Sequence, residues 1–283
     1  MSPLRQKMID AMRQRGFSNR THESYLGAVT SFSRFYPRAL ETADAEDVAS
    51  YFEHLVRERD ASASTCRVHY GALRFFYEKV LERPAAMAKV VLPRRGQRLP
   101  GLLSTGEIRA LVSATDNLKH RSLLCTCYGC GLRVSELVAL RVKDIDGERR
   151  VLRVEQGKGG KDRDVALSEA TLSQLRRYWS QYRPGEYLFP NDNSCKPLHV
   201  STPQKVYVQC KRAAGIEKRG GIHALRHAYA THQLEAGMAV HQLQRALGHR
   251  SLESTMRYVH WVSEHRSGAD TRVDLVAELG LAS

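Results

Sequence analysis

The chain has 283 residues, 42% hydrophobic and 26% charged, with a formal net charge of +14. That balance argues against global disorder, and no stretch approaches the roughly 20 apolar residues needed to cross a bilayer. The length suits two domains with their own cores, and a basic excess shared by both halves suits a polyanion held between them.

The N-terminus, Met1 to Lys7, leads into an amphipathic pattern rather than the apolar core of a signal peptide. Six cysteines in a chain this long show no disulfide framework and fit a reducing interior. Cys127-Tyr128-Gly129-Cys130 is a lone CxxC with no second pair at zinc-site spacing. Small buried side chains are expected there, and no metal site.

Residues 1–83 read as a small helical bundle, with helices near 3–15, 18–35, 44–58 and 63–81. Ser18 and Asp44 are suited to start helices, and Gly16 and Pro37 to stop them. The stripe Phe75-Phe76-Tyr77 is expected in the core rather than as a platform for stacked bases. Residues 84–101 read as a basic linker, with three prolines and the run Pro93-Arg94-Arg95-Gly96-Gln97-Arg98. It is either a strand of chain crossing a phosphate backbone, through Arg94 and Arg95, or a plain spacer.

Residues 102–283 read as a second, mostly helical domain. Ser104-Thr105-Gly106-Glu107 is a capping box for a helix over 105–114. Helices follow near 119–128 and 134–140. Residues 151–154 and 164–167 read as short strands around a glycine-rich turn. Further helices are expected near 168–182, 202–214, 224–236, 239–247 and 252–262, and one more within 273–281.

Several residues in this domain carry chemistry. Arg133 follows a glycine turn, with Glu136 one helical turn on. Lys158 occupies Gln156-Gly157-Lys158-Gly159-Gly160-Lys161, which lacks the spacing of a phosphate-binding Walker loop. His223 and Arg226, in His223-Ala224-Leu225-Arg226-His227, share one helix face. His249 follows Leu247-Gly248, a helix stop, and Tyr258 lies in the next helix, which Ser251 is placed to cap. Singly, each has a bland reading: a hairpin lysine, a surface arginine, a packed tyrosine. Together the arginines can fork a phosphate, the lysine and histidines can move protons, and the phenol can attack covalently.

The ordered set Gly131-Leu132-Arg133-Val134-Ser135-Glu136-Leu137, strand–Gly-Lys-Gly–strand, His-x-Leu-Arg-His, Leu-Gly-His and Arg-Tyr resembles the tyrosine recombinase/integrase family. The flavour is that of Xer-type recombinases and phage or mobile-element integrases, and the resemblance spans essentially the whole chain. It implies a mainly α (α+β) fold: an N-terminal SAM-like helical core-binding domain, and a mostly helical catalytic domain with a small antiparallel sheet.

By motif position, Arg133 and Arg226 would bind the scissile phosphate and Lys158 would be the general acid. His223 would assist proton transfer at the tyrosine, His249 would contact the phosphate, and Tyr258 would form a 3′-phosphotyrosine link, with Glu136 in support. Lys161 competes for the lysine role, and only motif position favours Lys158. Ala166 replaces a common proline, and Arg94 a common lysine. Lys205, Lys211 and Arg212, on the helix opened by Ser201-Thr202-Pro203, are candidates for major-groove contact or simply a solvated face.

The resemblance further implies no metal, no ATP and no other cofactor, and a cytoplasmic, nucleoid-associated place with no membrane partner. The expected partner is double-stranded DNA with inverted-repeat core sites, bound by a homotetramer, with accessory proteins open. Two rival readings are a type IB-like topoisomerase and a sequence-specific DNA-binding protein that cuts nothing.

Overall fold

The structure, a computed structural model, describes residues 3–94, 101–155, 162–191 and 196–262. The backbone divides into two units, Met1–Arg98 and Leu99–Ser283.

The first unit is built on α1 (Pro3–Gln14), α2 (Asn19–Phe35), α3 (Ala45–Arg57) and α4 (Ala63–Phe75). Their ends are set by local side-chain bonds that satisfy otherwise unpaired backbone N–H groups. The Ser18 hydroxyl accepts from the Thr21 amide at 3.2 Å, and Ser62 does the same for Thr65 at 3.1 Å. Asp44 and Asp47 form a reciprocal capping box on α3. Gly16, at φ +66°, turns the chain after α1, and the Phe17 amide bonds back to the Met12 carbonyl.

Apolar faces meet in a core containing Met8, Met12, Phe32, Tyr51, Leu55, Leu73, Phe76 and Tyr77. Phe75, Phe76 and Tyr77 are all buried, as expected of core residues. The Tyr77 hydroxyl is satisfied by donating to the Leu40 carbonyl at 2.9 Å. The last turn of this helix, Phe76–Val80, widens to π-type bonding.

Immediately after Arg83, where an extended linker is expected, the chain instead makes a 3-10 turn over Pro84–Met87. Ala86 and Met87 are buried in the first unit's core, and Val90 and Leu92 pack against it. Pro84 begins this turn because its fixed φ suits a first helical position. The same proline interrupts the sequence pattern that would have revealed it.

The second unit contains α5 (Thr105–Ser113), α6 (Leu118–Gly129), α7 (Val134–Ala139), α8 (Glu169–Tyr182), α9 (Ser201–Ala213), α10 (His223–Glu235), α11 (Val240–Leu247) and α12 (Glu253–Val259). Ser104 and Glu107 form the expected capping box on α5. A three-stranded antiparallel sheet, ordered β1 (Ile145–Asp146), β2 (Val151–Val154) and β3 (Arg163–Ala166), interrupts the helices. β1 escapes prediction because two residues cannot display an alternating pattern. Leu152 pairs with Ile145 on one side and Val165 on the other.

Leu152, Val154 and Val165 face a core that includes Leu124, Cys127, Leu132, Leu137, Tyr178, Phe189 and Leu225. Cys127 and Cys130 are buried there as small apolar side chains. Burial pushes both thiols up to about 12, so they stay protonated. Among the described residues no cluster of three His, Cys, Asp or Glu is placed to hold a metal ion.

Ser251 does not take the capping position expected of it: α12 starts one residue later, with Leu252 at its N-cap and no side-chain cap. The Ser251 hydroxyl accepts from the Glu253 amide at 3.2 Å just outside the helix. The helix expected within 273–281 lies outside the described residues.

Candidate active site

α11 ends at Leu247 with Gly248 left-handed at φ +63°. Its last carbonyls have no partners within the helix, and the helix dipole makes this end negative. Three arginines converge on it. Arg163 Nε donates to the Ala246 carbonyl at 2.8 Å, Arg226 Nη2 to Leu247 at 2.5 Å, and Arg133 Nη2 to Gly248 at 3.4 Å. The Cβ of any larger residue at position 248 would lie 3.0–3.2 Å from the Arg163 side chain.

These guanidinium groups share one carboxylate. Arg163 forks both Glu136 oxygens at 2.9 and 2.8 Å, and Arg133 Nη1 reaches Oε1 at 2.6 Å. Arg226 Nη1 lies 3.8 Å from Oε2. The Arg133 amide also donates to Glu136 Oε2 at 2.8 Å, which fixes the carboxylate at the start of α7. Burial alone would raise the Glu136 pKa; Arg163, by hydrogen bond and charge, then Arg133, overcome it and hold the group at about 2. Three cations against one anion leave a net positive cluster.

Arg226 is only 1% exposed, an extreme position for an arginine. It persists because Nη1 donates to the Gly131 carbonyl at 2.7 Å while Nη2 holds Leu247. Burial, then Arg133, lower it to about 10, so it remains charged at neutral pH. Gly131, at φ +57°, is obligatory: a Cβ there would lie 2.4 Å from the Tyr229 ring.

Beside the cations lies a cleft of about 300 Å³, lined by Arg133, His223, Arg226, His227, Gly248, His249, Arg250, Ser251, Ser254, Arg257 and Tyr258. Tyr258 is 4% exposed and packs edge-on to Trp261, with ring centres 5.2 Å apart. Burial raises its pKa, while Arg226 and Arg257 oppose that rise. Its hydroxyl hydrogen-bonds His227 Nδ1 at 3.1 Å. His249 stacks nearly parallel to Tyr258, its Nδ1 held by the Thr255 hydroxyl at 2.9 Å. Burial, then Arg226 and Arg133, push His249 down to about 4, and burial with Arg226 lowers His223. A neutral, polar wall thus faces a cationic one, an arrangement able to hold an anionic phosphodiester against a phenol.

Of the residues singled out from sequence, Arg133, His223, Arg226, His249 and Tyr258 come together here, with Glu136 directly behind. Lys158 and Arg95 lie outside the described residues. Arg94 is exposed. Lys205 and Arg212 are exposed and Lys211 half-buried on α9, which packs against α5 and α6; none of these lines the cleft.

Two participants escaped the sequence reading. Arg163 stands two residues before inward-facing Val165, so strand alternation points it the same way. His227 stands one turn after His223, on the same helix face.

Residues 102–265 match the phage integrase family, and residues 4–86 match the phage integrase N-terminal SAM-like domain. Protein y4qK of Sinorhizobium fredii, whose name places it among integrases/recombinases, is 42% identical over 260 residues, covering 92% of this chain and 84% of its own length. Tyrosine recombinase XerD of Pseudomonas putida is 31% identical, covering 91% and 92%.

Among solved structures, XerH recombinase bound to palindromic difH in a post-cleavage complex has TM-score 0.74 at 20% identity, covering 91% of this chain and 81% of that one. A lambda integrase tetramer bound to a Holliday junction has TM-score 0.76 at 19% identity, covering 89% and 75%. Both likenesses are of fold. By its family match and by its kinship along nearly the whole length, this chain belongs to the phage integrase family and is a tyrosine-type site-specific DNA recombinase.

Proposed function

We propose that the cleft cuts and rejoins DNA through a covalent 3′-phosphotyrosine link on Tyr258. One observation carries this reading: the Tyr258 hydroxyl lies in the same cleft as the Arg133 and Arg226 guanidinium groups. In that role the two arginines grip the scissile phosphate and stabilise charge on its pentavalent transition state. Glu136 holds them at a set spacing, and His249 and His223 contribute the neutral wall. Lys158 is proposed, from motif position, as the acid that protonates the departing 5′-oxygen.

The link conserves the phosphodiester's energy, so rejoining needs no ATP. Guanidinium charge here supplies what metal ions supply in other phosphoryl-transfer enzymes. Cleavage is accordingly expected to continue unchanged in EDTA.

The partner proposed is double-stranded DNA with inverted-repeat core sites, bound by four copies of the chain. The palindromic DNA with XerH and the lambda integrase tetramer on a Holliday junction support that proposal. Arg94, Arg95, Lys205, Lys211 and Arg212 are proposed DNA contacts.

The test is a nicked suicide substrate carrying the chain's own target site. Wild-type protein is expected to trap a covalent adduct, and Tyr258→Phe to bind DNA without trapping it. Adducts persisting in Tyr258→Phe overturn the assignment. A gel shift with no adduct from wild-type protein revives the non-cutting binder.

A further inference from the structure

Motif position assigns the tyrosine's proton to His223, yet the ring bonded to the Tyr258 hydroxyl is His227, at 3.1 Å. His223 stands behind it, its ring 4.5 Å from His227 and nearly perpendicular. Trp261 packs edge-on against His227 at 5.5 Å and Tyr258 lies at 5.6 Å, so the imidazole is held between two helices.

We propose that His227 is the base that takes the Tyr258 proton during DNA cleavage and returns it during rejoining. This rests on the phosphotyrosine reading of the cleft. As the Tyr258 oxygen–phosphorus bond forms, the bond from phosphorus to the 5′-oxygen breaks. In the tautomer with hydrogen on Nε2, the phenol proton passes to His227 Nδ1, and the departing 5′-oxygen takes a proton from the general acid. Rejoining reverses each transfer, so the enzyme regains its starting protonation and needs no co-reactant.

Geometry is the first requirement of a base, and hydrogen-bond contact with the proton it removes meets it. The surroundings meet the second, a ring kept in its accepting form. His227 touches His223 on its own helix and Tyr258 on α12, and the cleft it lines also holds Arg226, Arg257, His249 and Arg250 after α11, and Arg133 at the start of α7. Burial first, then His223, Arg226 and Arg257, push the ring down to about 4, so it is neutral at pH 7. A phosphodiester entering among those arginines adds a negative charge that offsets their repulsion of a proton arriving on the ring.

The experiment measures single-turnover cleavage by the full chain on two substrates across pH 5.5–9.5. One is an ordinary suicide substrate; the other has sulfur replacing the bridging 5′-oxygen, a leaving group that needs no proton. His227→Asn keeps a hydrogen-bond acceptor but cannot titrate. It is expected to cleave more slowly at pH 7 by roughly 10²–10⁴-fold, the usual contribution of a positioned base. Its rate is expected to climb about tenfold per pH unit as hydroxide replaces the base, and sulfur is expected not to restore it. Lys158→Ala, by contrast, is expected to be restored by sulfur. His223→Gln is expected to retain the wild-type pH profile.

A uniformly lowered rate with an unchanged profile in His227→Asn, or rescue of that variant by sulfur, overturns the proposal. So does a steep profile appearing in His223→Gln instead. Should His227→Asn fail to fold, His227→Gln and an NMR comparison decide it. The His227 Nδ1 resonance is expected to shift between wild type and Tyr258→Phe, and an unmoved resonance overturns the assignment. No adduct from wild-type protein is a different result, and it removes the underlying reading.

Discussion

Arg163 holds both carboxylate oxygens of Glu136, at 2.9 and 2.8 Å, while its Nε grips the Ala246 carbonyl at 2.8 Å. One guanidinium therefore ties β3 to the start of α7 and to the end of α11. By occupying the carboxylate in a fork, it leaves Arg133 attached to that group by a single side-chain bond. Arg133 can then turn toward an anion in the cleft without stranding Glu136.

Arg163→Ala leaves the Glu136 carboxylate buried with its best partner removed. Breaking a buried pair from one side costs about 3–5 kcal/mol. In a unit of this size, a melting temperature lower by roughly 6–20 °C is expected in calorimetry. Arg163→Lys keeps the charge but loses the fork, and is expected to recover part of that loss while cleaving DNA more slowly than wild type. Full cleavage by Arg163→Lys would show that the fork does not position Arg133.

Glu136 predicts an acid limb in the stability profile. Its carboxyl titrates at about 2 in the fold against an ordinary value of 4.5. A depressed folded-state pKa means its stabilisation is complete above about pH 4.5 and is lost as pH falls through 2. Denaturant titrations are expected to show wild type losing up to about 3 kcal/mol more than Glu136→Gln over that window, since each tenfold difference in proton affinity between folded and unfolded chain is worth about 1.4 kcal/mol. Parallel losses in the two proteins would remove Glu136 as the source.

Gly131→Ala tests the turn that receives Arg226. Its positive φ and the 2.4 Å approach to Tyr229 leave no room for a methyl group. Since Tyr229 is buried and cannot simply swing away, a loss of about 2–4 kcal/mol is expected from overpacking together with backbone strain. A displaced Gly131 carbonyl also releases Arg226, so covalent trapping is expected to fall even at temperatures where the fold survives.

Phe32→Ala addresses the first unit alone. Phe32 is fully buried between the Tyr36, Tyr51 and Tyr77 rings, 5.1–6.3 Å away. Truncation is expected to cost about 3–5 kcal/mol. Hydrogen exchange should accelerate in the amides of α2, α3 and α4 while those of α6 and α10 stay protected. Uniform acceleration across both units would contradict their separate cores.

Most helices and several of their starts are legible in the sequence, because those signals act over three or four residues. The π turn at Phe76–Val80, the 3-10 turn at Pro84–Met87 and the short span of α12 are not. Ser18, Asp44, Ser62 and Ser104 each cap a helix with a partner no more than three positions away. Order and spacing of Arg133, His223, Arg226, His249 and Tyr258 likewise pointed to one cleft. Which atoms meet there depends on the packing of distant elements. Arg163 and His227 are ordinary residues until folding sets one on Glu136 and the other on the Tyr258 phenol. The Arg226–Gly131 bond joins positions 95 residues apart, and no local pattern encodes such a contact. Burial creates its importance: a guanidinium removed from water must find its partners across the fold.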